Sequence, residues 1–332
     1  RGVNINCTDR EGLTPLLQLV KLGQARNDLL DVIRLLLDQN GIDVNCKDSD
    51  EWNALYYLCR LYQKADLIDI ILLLIQRGIK VNKSRQNAFL FLCQHYPHKN
   101  MIDIVQIFID NNIDIGCTNS NGWNALHHLC RNYKHLVDVF RLLVEHGMDI
   151  TCNTRVGWNA LHILCHEKTQ DNHMDLIKLF INLGIDVNSK NKGGWNALHI
   201  LCQNYQKDNL IDIVRLFINH GVDVNCSDDD ERNVLHILCG RYTEENLVDL
   251  VQLLIDHGID VNSKNGGGWI NDGGWNVLHI LCKNCSNLSN LVEIVELLVE
   301  NGIDVDCKTQ HGKGLNAFKI FCNDNANAKL YN

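Results

Sequence analysis

The chain has 332 residues and a net charge of -9, with 45% apolar and 21% charged residues. Those proportions are ordinary for soluble globular protein, and no apolar run reaches the roughly 18 to 20 residues that cross a bilayer. No block of lysine and arginine supplies the basic footprint of tight nucleic-acid binding, so neither a nucleic acid nor a membrane is an expected partner. Length alone suggests two or three domains, but the order of the residues overrides that prior. The opening Gly2-Val3-Asn4-Ile5-Asn6-Cys7 matches Gly221-Val222-Asp223-Val224-Asn225-Cys226, so the chain is read as starting inside a repeat of something longer. A block at Thr14-Pro15-Leu16-Leu17 follows, and then eight copies of a motif in which an Asn stands six residues before a Cys. Its fullest form is Trp195-Asn196-Ala197-Leu198-His199-Ile200-Leu201-Cys202. Close copies begin at Trp52, Trp123, Trp158 and Trp275, and weaker ones at Gln86, Arg232 and Leu315. From Thr14 through each Asn the steps are 39, 34, 37, 35, 37, 37, 43 and 40 residues. A period of this size marks a solenoid, in which stacked units share one continuous core.

Residues 189–225 show the elements of one unit. Ser189-Lys190-Asn191-Lys192-Gly193-Gly194 is a polar turn between units. Asn196 is placed to cap a first helix, whose apolar side is Leu198, Ile200 and Leu201. The chain then passes through 203–209 to a second helix over 210–218, with Asp212 near its start where the macrodipole favours an acid. Gly221 is expected to close that helix in the left-handed conformation, a task for which Asn112 substitutes once. Val222-Asp223-Val224 runs extended into the next turn.

Turn, helix, helix and extended tail at this period resemble the ankyrin repeat. Asn196-Ala197-Leu198-His199 stands where that family has T-P-L-H, Thr14-Pro15-Leu16 keeps the usual form, and Gly221-Val222-Asp223-Val224-Asn225 matches the G-A-D-V-N tail. The resemblance covers essentially the whole chain. It implies an all-α solenoid of helix-turn-helix units joined by short β-hairpin-like turns. Residues 1–332 then read as one continuous array, with full repeats starting near 8, 47, 83, 118, 153, 189, 226 and 263 and a partial ninth over 307–332. Two departures stand out. Leu201-Cys202 replaces the family's paired alanines, and the link between helices is about four residues longer, one helical turn at ~3.6 residues. That extra turn belongs either to the first helix or to its loop.

The fifteen cysteines fall on this grid. Eight close the motif, at 59, 93, 130, 165, 202, 239, 282 and 322. Cys7, Cys46, Cys117, Cys152, Cys226 and Cys307 follow a repeat tail, and only Cys285 lies off the pattern. Neighbouring helices lie about 8 to 10 Å apart, whereas bridged cysteines need Cα atoms within roughly 7 Å. The thiols are therefore expected as small core hydrophobes in a reducing, cytoplasmic setting. The sequons at Asn6, Asn225, Asn284 and Asn287 are discounted, since no secretory leader is visible.

The pairs His127 and Cys130, His162 and Cys165, His199 and Cys202, His236 and Cys239, and His279 and Cys282 each share a helix face. Zinc needs three or four converging ligands, and each helix offers two, so no metal is expected; the resemblance makes these histidines structural hydrogen bonders. A catalytic Cys-His pair would single out one unit, whereas five near-identical copies argue for scaffolding. Gly266-Gly267-Gly268 lacks the Lys-Ser/Thr of a phosphate loop. No enzyme and no cofactor are expected.

Three features vary on the constant frame. Trp52, Trp123, Trp158, Trp195 and Trp275 form a column that in the ankyrin family faces the concave binding surface. The indoles act either as interface anchors or as stacked rings that stiffen the array, with Gln86, Arg232 and Leu315 breaking the column. Tyr62, Tyr96, Tyr133, Tyr205 and Tyr242 form a second column, which shares a stripe with the His and Cys of an extended first helix. The turns differ most: Asp48, Asp50 and Glu51 are acidic, Lys83 and Arg85 basic, Lys190 and Lys192 basic, and Asp228, Asp229, Asp230 and Glu231 acidic. Trp269 rides a lengthened tip. Variation at tips on a rigid scaffold is how binding arrays differ. The resemblance implies a monomeric scaffold that binds another protein through its tips and first helices. The rival is a recognition segment of a larger enzyme or channel, such as a ubiquitin-ligase adaptor.

Overall fold

The computed structural model describes residues 4–81, 87–132, 137–167, 173–205, 209–242, 244–266, 273–284, 290–310 and 314–328. The described residues are helical or in turns, with no strand among them. The chain forms two compact units, Arg1–Arg155 and Val156–Asn332.

In the first unit the helices come in pairs. These are α1 (Pro15–Leu22) with α2 (Leu29–Leu37), α3 (Ala54–Leu61) with α4 (Leu67–Gln76), α5 (Ala88–His95) with α6 (Met101–Asp110), and α7 (Ala125–Asn132) with α8 (Val137–Glu145). The first helices stack in the order α1, α3, α5, α7, and the second helices α2, α4, α6, α8 form a parallel row. The second unit repeats the plan. It holds α9 (Ala160–His166) and α10 (His173–Asn182), α11 (Ala197–Asn204) and α12 (Leu210–Asn219), α13 (Val234–Arg241) and α14 (Leu247–Asp256), α15 (Val277–Lys283) and α16 (Leu291–Glu300), and the single α17 (Ala317–Ala328). Here α9, α11, α13, α15 and α17 stack in order, and α12, α14 and α16 do so beside them.

The two kinds of helix bury themselves differently, as their sequences require. In α11 every residue from Ala197 to Cys202 is buried, because a first helix lies between its neighbours and its own partner. In α12 only Leu210, Ile213, Val214 and Phe217 are buried, an i, i+3, i+4, i+7 stripe on one face. Each such apolar side chain removed from water contributes about 1.5–3 kcal/mol.

Helix ends follow the expected chemistry. The Asn196 Oδ1 accepts the His199 N–H at 3.1 Å, and Asn53, Asn124, Asn159 and Asn233 cap their helices in the same way. Gly221 ends the second helix at φ 77°, and Asn112 takes that conformation at φ 55°. The link between helices resolves the open choice of the extra turn. Tyr62, Tyr96, Tyr205 and Tyr242 are extended C-cap residues, just past the last helical turn. The additional residues therefore lengthen the loop, and the tyrosines do not continue a helical stripe. They are buried, and Tyr205 and Tyr242 donate their hydroxyls to Asn209 and Asn246 at 2.8 and 2.7 Å, pinning the loop to the start of the second helix. Tyr133 lies outside the described residues.

Candidate partner-binding face

Several tips are each built on one side chain. Asn191 Oδ1 accepts the N–H groups of Gly193 and Trp195 at 2.8 and 3.1 Å, and its own N–H donates to the Trp195 carbonyl at 2.9 Å. Asp48, Asn119 and Asp228 organise their tips through the same pair of bonds. Among the described residues each tip is then stitched to a neighbour. In the second unit Lys192 N–H donates to Val156, Asp229 N–H to Gly193, Gly266 N–H to Asp230 and Gln310 N–H to Gly273, at 3.1, 3.1, 2.8 and 3.0 Å. That close approach explains the glycine before Trp123, Trp158, Trp195 and Trp275: a Cβ on Gly194, at φ 74°, would lie 2.7 Å from the Asp229 nitrogen. Glu51 and Glu231 hold the same slot at φ 68° and 59°.

The tails carry a second ladder. Asn225 donates to the Gly258 carbonyl at 2.8 Å and accepts the Asp260 N–H at 2.7 Å. Asn6, Asn45, Asn188 and Asn262 each bind the following repeat in the same two-ended way. The carboxamides of Asn6 and Asn225, both in sequons, are thus committed to backbone.

The five tryptophans of the column are half-buried. Each of four lies over the motif histidine of its own repeat, from 5.9 Å for Trp123 on His127 to 6.5 Å for Trp158 on His162. Trp52 packs instead on Tyr56, at 4.4 Å. A cation also stands over most of these rings. Arg60 stands 4.8 Å from Trp52, Arg131 5.5 Å from Trp123, Arg232 5.6 Å from Trp195 and Lys283 5.1 Å from Trp275. Trp158 has the His166 ring edge-on at 5.2 Å. Such cation–aromatic stacking is worth about 0.5–1 kcal/mol at exposed sites.

Arg60, Arg131 and Lys283 occupy the position after the motif Cys, a column running Arg60, Gln94, Arg131, His166, Gln203, Gly240, Lys283 and Asn323. Gln203 cannot supply a charge, and there the next repeat does so with Arg232, which itself stands in the Trp slot. Its guanidinium is held by the enclosed Asp228 carboxylate at 2.8 and 3.0 Å and by Asp230 at 3.0 Å. Hollows open between successive repeats along this row. One of about 490 Å³ touches Trp123, His95, His128 and Arg131; another of about 550 Å³ touches Trp158, Lys192 and Trp195. A third, of about 460 Å³, lies between Trp195 and Trp275.

The histidines face inward. His162 Nδ1 accepts the Asn159 N–H at 3.2 Å, and its Nε2–H donates to the Trp195 carbonyl of the next tip at 3.2 Å. His236 and His279 reach the next tip likewise, at 3.1 and 3.3 Å. Burial disfavours the imidazolium, holding His162 and His128 down to about 4 and lowering His199, His236 and His279. The motif thiols Cys59, Cys93, Cys130, Cys165, Cys202 and Cys239 are buried as well, whereas Cys282 is half-buried and Cys322, on the last helix, is exposed rather than in the core; desolvation pushes Cys239 up to about 12. Among the described residues no three His, Cys, Asp or Glu side chains converge as metal ligands would.

A family model described as "Ankyrin repeats (3 copies)" matches residues 1–85, 90–191, 165–265 and 206–309. The chain belongs to the ankyrin repeat family. The crystal structure of the ankyrin repeat domain of Bcl-3, described as a unique member of the IkappaB protein family, shares the fold. It superposes with a TM-score of 0.50 at 23% identity, over 66% of this chain and 87% of that one. No curated protein sequence matches. Ankyrin repeats are in general protein-interaction modules, typically without catalysis, and no described helix is long and apolar enough to cross a membrane.

Within these ankyrin repeats the charged tip residues singled out from sequence divide into two kinds. Asp50, Glu51, Lys192 and Asp229 are exposed. Asp230 and Arg232 are partly withdrawn into an ion pair, and Asp228 is buried as the organiser of its tip. Arg85, Gln86 and Trp269 lie outside the described residues. Sequence reasoning missed the cation column and the tail asparagine ladder; both stood at fixed offsets from the motif.

Proposed function

We propose that the protein is a non-catalytic scaffold that binds another protein through the face made by its tips and first helices. The observation that supports this most is the Trp column: large aromatic groups held half-exposed, each packed against another ring and most against a cation. Rigid aromatics beside arginine are the residue types that dominate interface energetics. Their backing on histidine also makes them part of the frame, so the two roles read from sequence combine in one side chain. Hollows between repeats alternate with these stacks, giving a surface of ridges and recesses on backbone that is stitched from tip to tip. Selectivity resides where the pattern breaks, at Arg232 and at the charged tips Asp50, Glu51, Lys192 and Asp229. The motif imidazoles and six of its eight thiols are buried, and a reducing intracellular compartment suits its many buried cysteines.

Affinity capture from an extract of the source organism, read by mass spectrometry, tests the proposal. The native chain is compared with one in which Trp52, Trp123, Trp158, Trp195 and Trp275 are alanine, after circular dichroism shows that both are folded. A protein held by the first and lost by the second is the expected result. Equal capture by both contradicts the assignment of this face.

A further inference from the structure

The hollow between Trp195 and Trp275 differs from the other two by a missing side chain. At the position after the motif Cys, other repeats carry Arg60, Gln94, Arg131, His166, Gln203 or Lys283; here the residue is Gly240. A Cβ on Gly240 would meet only the Ile280 Cγ2, at an ordinary 3.6 Å, so packing does not require glycine there. Helix propensity disfavours it, since glycine inside a helix costs about 0.8–1 kcal/mol against alanine. Its lack of a side chain leaves the floor of this hollow open at that position. Ile237 and Ile280 line this space, the Trp195 and Trp275 indoles flank it, and Arg232 takes the Trp slot between them.

Charge points to the same place. Among the described residues no Asp or Glu lines any of the three hollows, but this one gathers Arg232, Arg241 and Lys283, where the others hold one arginine or lysine each, Arg131 and Lys192. Arg232 is neutralised by Asp228 and Asp230. Arg241 and Lys283 have no carboxylate within ion-pair distance among the described residues. Both stand in the last turn of their helices, where a cation offsets the macrodipole, and both remain available to an incoming anion.

We propose that this hollow is the anchor site for an acidic segment of the partner protein. One apolar side chain of the segment seats over Gly240 between the Trp195 and Trp275 indoles, and flanking Asp or Glu carboxylates meet Arg241 and Lys283. The inference rests on the assignment of the tip and first-helix face as the binding face, and names the chemistry that one part of it selects.

Fluorescence anisotropy on the full chain provides the test. The probe is a fluorescein-labelled peptide with a central leucine between runs of glutamate. Comparison peptides replace the leucine with glycine or the glutamates with lysine. The native chain is expected to bind the leucine–glutamate peptide and to discriminate against both others. Gly240→Gln restores a residue that other repeats carry, and is expected to weaken binding by about tenfold or more while its thermal midpoint holds or rises. That combination excludes loss of fold as the cause. The double variant Arg241→Glu, Lys283→Glu is expected to weaken the same peptide and to favour the lysine one. Binding unchanged by Gly240→Gln overturns the anchor site while leaving the wider face assignment intact. Equal binding of the glutamate and lysine peptides, or no binding of the leucine–glutamate peptide, overturns the acidic partner. Failure of the face assignment itself reads out separately, as capture indifferent to the Trp column.

Discussion

Asn225 uses both ends of its carboxamide on the next repeat, and the same arrangement at Asn6, Asn45, Asn188 and Asn262 couples successive tails. Each bond contributes about 0.5–1.5 kcal/mol net, so Asn225→Ala is expected to cost roughly 1–3 kcal/mol. The check is a lower urea midpoint with an unchanged slope, since the folded surface is otherwise the same. The sequence displayed these asparagines plainly, as part of a tail that resembles ankyrin repeats, without revealing that they bridge repeats. The cations after the motif Cys were harder to see. The column is interrupted by Gln94, Gln203 and Gly240, and the charge over Trp195 comes from Arg232 in the following repeat. A pairing between two columns, displaced by one period, is invisible when each column is read down its own length.

Tips and helix ends place glycine in the same backbone conformation for different reasons. Gly221 has a positive φ at a helix end, and a Cβ there meets nothing within 4 Å. Gly221→Ala is therefore expected to cost only the left-handed conformation, about 1–2 kcal/mol. Gly194 has a similar φ, but its Cβ would press on the backbone of the next tip. Gly194→Ala is expected to cost about 3 kcal/mol or more, in the range of the named severe mechanisms; thermal unfolding of the two variants side by side gives the comparison. Equal costs would show that the tips do not hold as tightly as the stitching implies. Elements themselves were legible wherever a period repeated: the Asn caps, the acid in the second helix and the closing glycine all appear where spacing puts them. The inter-helix loop was not, because Tyr205 three residues after Cys202 fits a helical stripe and an extended cap equally well. Burial of its ring and donation to Asn209 settle the choice in favour of the loop.

At the scale of the whole molecule, the motif histidines tie stability to pH. His162, His199, His236 and His279 are neutral and enclosed, with folded-state values below the ordinary 6.5. In the unfolded chain each takes up a proton as pH falls through 6.5, while the folded chain resists until about 4 in the case of His162. The unfolded state then binds more protons, so stability is full above pH 6.5 and declines between there and 4. At about 1.4 kcal/mol per pH unit, His162 alone withdraws roughly 3 kcal/mol by the acid end. Urea midpoints measured across that interval are expected to fall steadily, and a flat profile would contradict the buried neutral imidazoles. A frame stabilised by such repeated internal contacts leaves its Trp column, cations and tips as the variable, outward part. The most direct measurement of the central claim is hydrogen exchange on the chain alone and bound to a captured partner. Protection gained at the tips and first helices, with second helices such as α12 and α14 unchanged, is the result expected. Protection confined to the exposed faces of the second helices would contradict it.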